Sequence, residues 1–118
     1  MSTEQTSLES IVANTSISDV YRAAKQLDGV IKKTELIYSP FFSKACENEV
    51  FIKPENLQNT GSFKLRGAYN KISQLSEIEK AKGVITASAG NHAQGVAYAA
   101  QQLGVKAVIT MPATTPMI

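Results

Sequence analysis

The sequence predicts an α/β fold built on a parallel sheet. Two short runs rich in β-branched residues, VITAS at 84–88 and KAVITMP at 106–112, flank a segment whose apolar residues recur at helical spacing. A strand, a helix and a second strand in this order predict two parallel strands joined by a right-handed crossover, and we expect both strands to be buried on both faces. No internal repeat or low-complexity stretch in the sequence competes with this interpretation.

The part of the chain before that unit supplies two further helices and two short strands. The first helix is capped by Ser18 or Asp19 and stops at Gly29; its apolar face is Val20, Ala23, Ala24 and Leu27. TELIYSP (34–40) and EVFIKPE (49–55) are short apolar runs ended by proline, typical of strands that enter loops. The second helix spans 62–75, and its apolar face is Leu65, Ala68, Tyr69, Ile72 and Leu75. SEIEKAKG (76–83) is interpreted as a charged link.

Composition excludes several classes of function. The 118 residues are 43% hydrophobic and 19% charged, which indicates a globular chain. The net charge of +2 comes from scattered basic residues, so no nucleic-acid partner is expected. One cysteine and one histidine argue against a disulfide and a metal site. No run approaches the roughly 20 apolar residues of a membrane span, and the N-terminus lacks a signal-peptide pattern, which predicts a cytoplasmic protein.

The stretch TGSFKLRGAYNKI (60–72) places Lys64 in the opening turn of the second predicted helix. The positive end of a helix disfavours an ammonium group in that turn. A lysine that works as a neutral amine would gain from the same position, because the protonated form is disfavoured there. A solvated surface lysine is the simpler alternative.

The segment SAGNHAQG (88–95) follows the first predicted parallel strand directly. Ligands bind at the carboxyl ends of parallel strands, and small residues before a helix let its free amides approach a carboxylate or phosphate. Spacing alone leaves a tight turn as the commoner explanation. The sequence has neither a Walker loop nor the GxGxxG fingerprint of dinucleotide-binding proteins.

Other reactive or charged residues have simple interpretations when each is taken alone. His92 suits a capping role in the first turn of its helix, and Cys46 an inert thiol. Arg66 and Lys71 are predicted to form the solvated face of the second helix.

Two long motifs together resemble a known family. They are KPENLQNTGSFKLRGAYNKI (53–72) and SAGNHAQGVAYAAQQLGVKAVITMP (88–112), and the resemblance runs from 18 to 118. They are similar to the fold type II pyridoxal phosphate enzymes, whose fold is like the tryptophan synthase β subunit, and specifically to the threonine dehydratases (threonine ammonia-lyases). This resemblance implies pyridoxal 5'-phosphate as the cofactor.

The resemblance also implies roles for individual residues. Lys64 would be the catalytic lysine that attaches the cofactor covalently. Phe63 would lie against the cofactor ring, and Asn91 would form a hydrogen bond with the ring oxygen. The substrate-binding segment would be Ser88, Ala89, Gly90, Asn91 and His92, whose backbone amides hold the substrate carboxylate.

The implied reaction is β-elimination from L-threonine, and also from L-serine, to 2-oxobutanoate or pyruvate and ammonia. It would serve isoleucine biosynthesis or threonine catabolism. Serine racemases carry Ser-Ser-Gly-Asn-His in this loop; here the second position is Ala89, which favours the dehydratase over the racemase.

The resemblance covers only an N-terminal portion of such an enzyme. The expected division is a flexible tail at 1–16, part of the large cofactor domain at 17–75 and the start of a small domain at 76–118. Family members continue with a glycine-rich phosphate loop and a residue for the pyridine nitrogen, so we expect a truncated chain that is inactive alone. A non-catalytic remnant or a complementing fragment is the alternative, and a homo-oligomer is expected at full length.

Overall fold

The computed structural model describes residues 14–116, so most of the tail predicted at 1–16 lies outside the described residues. Helices and short strands are interspersed along this part of the chain. The helices are α1 (Ile17–Leu27), α2 (Pro40–Cys46), α3 (Lys64–Ser73), α4 (Glu77–Lys82) and α5 (Asn91–Leu103), with a 3₁₀ turn at Glu55–Leu57. The strands are β1 (Ile37–Tyr38), β2 (Phe51–Ile52), β3 (Val84–Ala87) and β4 (Ala107–Thr110). No helix within 14–116 is long and apolar enough to cross a lipid bilayer.

The predicted strand, helix and strand unit is present. Strands β3 and β4 pair in parallel, with Val84 opposite Ala107 and Ala87 opposite Thr110, and α5 connects them. Successive strand residues alternate between half-buried and exposed, because within this chain only one face of the pair is covered. The prediction that both faces of these strands are buried is therefore not met in this chain.

The core lies between α3 and α5. Leu65 is completely buried and packs with apolar residues of both helices and of the turn into β4. The buried cluster is Leu65, Ala68, Ile72, Val96, Ala99, Ala100 and Val105. Tyr69 and Leu75 pack at its margin, so the apolar face predicted for the second helix is confirmed. This packing holds the starts of the two helices close together.

Helix α1 starts earlier than predicted and buries less. Its N-cap is Ser16, whose backbone N–H donates to the carboxylate of Asp19 at 2.8 Å, so Asp19 closes a capping box instead of capping the helix itself. Of the predicted apolar face only Leu27 is buried, while Val20 and Ala24 are exposed. The reason is that only the end of this helix reaches the core.

The two proline-ended runs form strands of two residues each, and these strands are antiparallel. Ile37 lies opposite Ile52 and Tyr38 opposite Phe51, with the last two rings edge to face at 5.5 Å. They form a ribbon separate from the parallel pair. These elements were predicted as strands, but their direction could not be read from so short a pattern.

Two short helices were not predicted, and both depend on their caps. In α2 the hydroxyl of Ser39 accepts from the amide of Phe42, and Pro40 occupies the first turn. In α4, which was interpreted as a charged link, the hydroxyl of Ser76 accepts from the amide of Glu79 while the Glu79 carboxylate accepts from the amide of Ser76.

Candidate functional site

Lys64 is the first residue of α3, and its side chain is exposed. Its Nζ lies 4.9 Å from the centroid of the Phe63 ring, which is itself mostly exposed. No carboxylate within the described range pairs with this amine. The amine is therefore accessible and has an aromatic face beside it.

Ser88 organises the loop that follows β3. Its amide donates to the carbonyl of Thr110 at 3.0 Å, which extends the pairing with β4 by one residue. Its hydroxyl accepts from the amides of Gly90 and Ala93, at 3.3 Å each. The side chain of Ser88 thus holds the turn into α5.

Three backbone amides at the start of α5 remain available. Those of Ala89, Asn91 and His92 meet no acceptor among residues 14–116. Free amides and the positive helix end together favour an anion at this place. The loop is a tight turn, as one interpretation of the sequence had it, and it also offers donors to a carboxylate.

Gly95 brings α5 against the start of α3. A Cβ placed on Gly95 would lie 3.0 Å from the carbonyl carbon of Lys64 and 3.1 Å from the nitrogen of Leu65, closer than ordinary packing allows. Asn91 lies one helical turn before Gly95, so both lie on the same face of α5. The fold therefore puts Asn91 on the side of α5 that meets Lys64.

The other loop residues border two open grooves. His92 lines a groove of about 280 Å³ between α3 and β3, together with Gly67, Lys71 and Thr86. Ala89 and Gly90 line another groove of about 260 Å³, whose opposite wall includes Met111, Thr115 and Pro116. His92 and Ala89 are thus directed into different spaces.

Arg66 is not the free surface residue that was predicted. Its Nε donates to Oε2 of Glu55 at 2.8 Å, and its Nη2 donates to Oε1 at 2.7 Å. The hydroxyl of Thr34 also donates to Glu55 Oε1, at 2.5 Å. In the sequence, the one indication of this ion pair was that Glu55 and Arg66 have opposite charges and lie on either side of the glycine and serine turn that precedes Lys64.

This pairing changes the titration of both groups. The hydrogen bond from Arg66, followed by that from Thr34, lowers the pKa of Glu55 from 4.5 to about 2, although burial acts in the opposite direction. The hydrogen bond to Glu55 raises the pKa of Arg66 above its ordinary value. The pair is therefore charged throughout the neutral range.

The comparison with protein families assigns the chain to a family. Residues 27–117 match the family described as "Pyridoxal-phosphate dependent enzyme". The chain belongs to this family. Its cofactor is pyridoxal 5'-phosphate, which confirms the cofactor and the fold class expected from the sequence.

Curated relatives of this family member confirm the resemblance to threonine dehydratases. The chain is 52% identical over 101 residues to the L-threonine ammonia-lyase of Thermotoga maritima, covering 86% of this chain and 25% of the relative. It is 49% identical over 100 residues to the catabolic L-threonine dehydratase of Escherichia coli K12, covering 85% and 30%. The chain thus spans about a quarter to a third of the length of these relatives.

Solved structures of two kinds of pyridoxal phosphate enzyme are similar to this chain. The serine racemase of Dictyostelium discoideum has a TM-score of 0.80 at 39% identity, covering 86% of this chain and 33% of that one. The processed form of threonine deaminase isoform 2 from Solanum lycopersicum has a TM-score of 0.69 at 43% identity, covering 86% and 31%. The described fold is therefore a fold type II segment.

The described residues fit part of the cofactor. The accessible amine of Lys64 suits covalent attachment to an aldehyde, and the adjacent Phe63 ring suits contact with a planar ring. The free amides of Ala89, Asn91 and His92 suit a carboxylate. Within 14–116 no glycine-rich loop resembles a phosphate-binding cup.

Proposed function

We propose that the chain is the part of a threonine ammonia-lyase that carries the attachment lysine and the carboxylate loop. The substrates are L-threonine and, as a second choice, L-serine; the products are 2-oxobutanoate or pyruvate, and ammonia. The observation that carries the proposal is the packing of Gly95 against the backbone of Lys64, which sets the residue that bears the amine beside the helix that starts at Asn91. Relatives named as threonine ammonia-lyases support the choice of reaction.

Each residue of the site then has a role. Bound pyridoxal phosphate supplies an electron sink for the substrate's Cα. Lys64 would hold the cofactor through its Nζ, and its amine, in the neutral form, would take the substrate's Cα proton. The amides of Ala89, Asn91 and His92 would bind the substrate carboxylate, and the Asn91 side chain would donate a hydrogen bond to the cofactor's ring oxygen. Phe63 would lie against the cofactor ring.

Serine racemase is the second candidate, because solved racemases have TM-scores as high as 0.80 with this chain. Racemisation needs a proton donor on the face of the substrate opposite Lys64. Ala89, which lines the groove on the other side of the loop, ends in a methyl group and has no proton to give. Elimination is therefore the better supported reaction. Formation of 2-oxo acid without D-serine distinguishes the two.

Four further features stay predictions and are proposed with the reaction. The division of the chain at residue 75 separates a large-domain part from a small-domain part. The complete enzyme is a homo-oligomer and acts in the cytoplasm. Its reaction serves isoleucine biosynthesis or threonine catabolism.

The experiment uses a chimera, because the chain spans only a quarter of its relative. The 101 matched residues of the Thermotoga maritima enzyme are replaced by the corresponding residues of this chain. We expect the chimera to form 2-oxobutanoate from L-threonine, and the same chimera with Lys64→Ala to form none. A folded, cofactor-binding chimera without lyase activity would overturn the proposal.

A further inference from the structure

We infer that Glu55 and Arg66 form a positioning pair, which fixes the backbone around Lys64 and leaves its amine free. Neither residue is among those proposed to hold the cofactor or the substrate, so the pair acts through Lys64. The inference rests on the role proposed for Lys64. The local restraint on residues 58–64 can nevertheless be measured whether or not Lys64 attaches the cofactor.

The pair joins the two ends of the segment that presents Lys64. Glu55 starts the 3₁₀ turn, and Arg66 lies two residues beyond Lys64 in the first turn of α3. Two parallel hydrogen bonds, of 2.8 and 2.7 Å, connect the guanidinium to the carboxylate. This fork geometry fixes orientation as well as distance. The side chains are only 28% and 14% exposed, so water competes weakly with the pair.

The loop between α1 and β1 forms hydrogen bonds with the same segment. Thr34 donates from its hydroxyl to Glu55 at 2.5 Å and is itself buried. The buried side chain of Gln58 donates to the carbonyl of Lys32 at 2.6 Å, and its amide oxygen accepts from the Lys32 amide at 3.1 Å. These bonds tie the turn after Glu55 to a second stretch of backbone.

Helix α5 restrains the segment from the other side. The side chain of Asn59 donates to the hydroxyl of Tyr98 at 3.1 Å, and Gly95 lies against the backbone of Lys64. In contrast, the Nζ of Lys64 lies beside the ring of Phe63 and has no hydrogen bond or ion pair with the described residues. The restraints thus act on the backbone and leave the reactive amine unpaired.

This distribution is what a reactive lysine requires. An ion pair made directly to Lys64 would hold its proton and oppose the neutral amine. A backbone that moves by about 1 Å would misplace the amine and cost on the order of 100-fold in rate. The pair between Glu55 and Arg66 satisfies both requirements, since it restrains the helix start without touching the amine.

The test measures the local restraint and the chemistry of Lys64 separately. The variants are Arg66→Lys, which keeps the charge but loses the fork, and Glu55→Gln, which keeps the shape but loses the charge. The matched control is Glu77→Gln, which removes an exposed ion pair of 3.0 Å with Lys80 on α4. Hydrogen exchange is followed by mass spectrometry for residues 58–64 and for the core residues 96–100.

We expect exchange of 58–64 to rise roughly tenfold in both variants, with exchange of 96–100 as in the wild type. After incubation with pyridoxal phosphate and borohydride, the reduced adduct on Lys64 should fall in the variants and not in the control. Unchanged exchange at 58–64 would overturn the inference. So would faster exchange there that leaves the adduct on Lys64 at its wild-type level.

Two further outcomes separate this inference from the proposed function. A variant that fails to fold shows fast exchange at 96–100 as well. In that case the milder Glu55→Gln variant decides whether the pair restrains residues 58–64. If the wild type forms no adduct on Lys64, the proposed function fails for this chain. Hydrogen exchange at 58–64 still decides whether the pair restrains the segment.

Discussion

A side chain on Gly95 would collide with the backbone of Lys64: its Cβ would lie 3.0 Å from the carbonyl carbon and 3.2 Å from the carbonyl oxygen. The start of α3 and the first turns of α5 therefore meet backbone to backbone. The amine proposed to attach the cofactor and the loop proposed to bind the substrate are positioned by the same contact.

Gly95→Ala should loosen this contact. We expect it to lower the free energy of unfolding by about 1 to 3 kcal/mol, because the added methyl group forces the two helices apart. Gly67→Ala is the matched control, since it adds a methyl group to α3 where no atom lies within 4 Å. That control should stabilise the fold by about 0.5 to 1 kcal/mol, because alanine favours a helix over glycine. Urea unfolding of both variants measures the difference; equal effects would contradict the close packing.

Acid should weaken the fold through Glu55. Because Arg66 lowers the pKa of this carboxylate from 4.5 to about 2 in the folded chain, the pair stabilises the fold fully above about pH 4.5. That contribution is lost as the pH falls from 4.5 towards 2. Glu55→Gln removes the titration, so the difference in unfolding free energy between wild type and variant should shrink over this window. A difference independent of pH would refute the assignment.

Ser88→Ala should disorder the turn into α5. The Ser88 hydroxyl accepts from the amides of Gly90 and Ala93, and loss of such a cap costs about 1 kcal/mol. Hydrogen exchange at 89–93 should become faster, while Ser73→Ala, which removes a hydroxyl that donates to the Asn70 carbonyl in α3, should leave exchange at 89–93 unchanged. Equal exchange in the two variants would show that Ser88 does not hold the turn.

The uncovered face of the parallel pair should cause self-association of the isolated chain. Ile85 is 76% exposed, and its neighbour across the pair, Val108, is 47% exposed. An apolar face beside unpaired strand edges attracts further chains. Sedimentation should show association that increases with concentration and is reduced by Ile85→Lys but not by Val20→Lys on α1. A monomer at all concentrations would contradict this prediction.

The helices that were predicted correctly are those with a long periodic pattern. Apolar residues repeat through α3 and α5 at helical spacing, and β-branched runs mark β3 and β4, so both helices and the parallel direction of the two strands could be predicted. Helices α2 and α4 have seven and six residues, too few for a period to show. The N-caps Ser39 and Ser76 determine where these two helices form instead.

The candidate site shows the same limit. Lys64 and the loop at 88–92 were found through two long motifs, and spacing alone left a turn and a surface lysine as the simpler alternatives. The pair between Glu55 and Arg66 was missed because it joins residues eleven positions apart across an irregular loop. Gly95 was missed because a glycine that permits close packing is recognisable only when its neighbour is known.

The central claim is that Lys64 is the lysine that attaches pyridoxal phosphate, and peptide mapping after borohydride reduction tests it most directly. The wild-type chain and Lys64→Ala are incubated with pyridoxal phosphate, reduced, digested and analysed by mass spectrometry. Lys64 is exposed and outside the core, so the variant should keep the fold, as circular dichroism can verify. We expect an adduct concentrated on Lys64 in the wild type and none above background in the variant. An adduct spread evenly over the lysines, or one that persists in Lys64→Ala, would contradict the account.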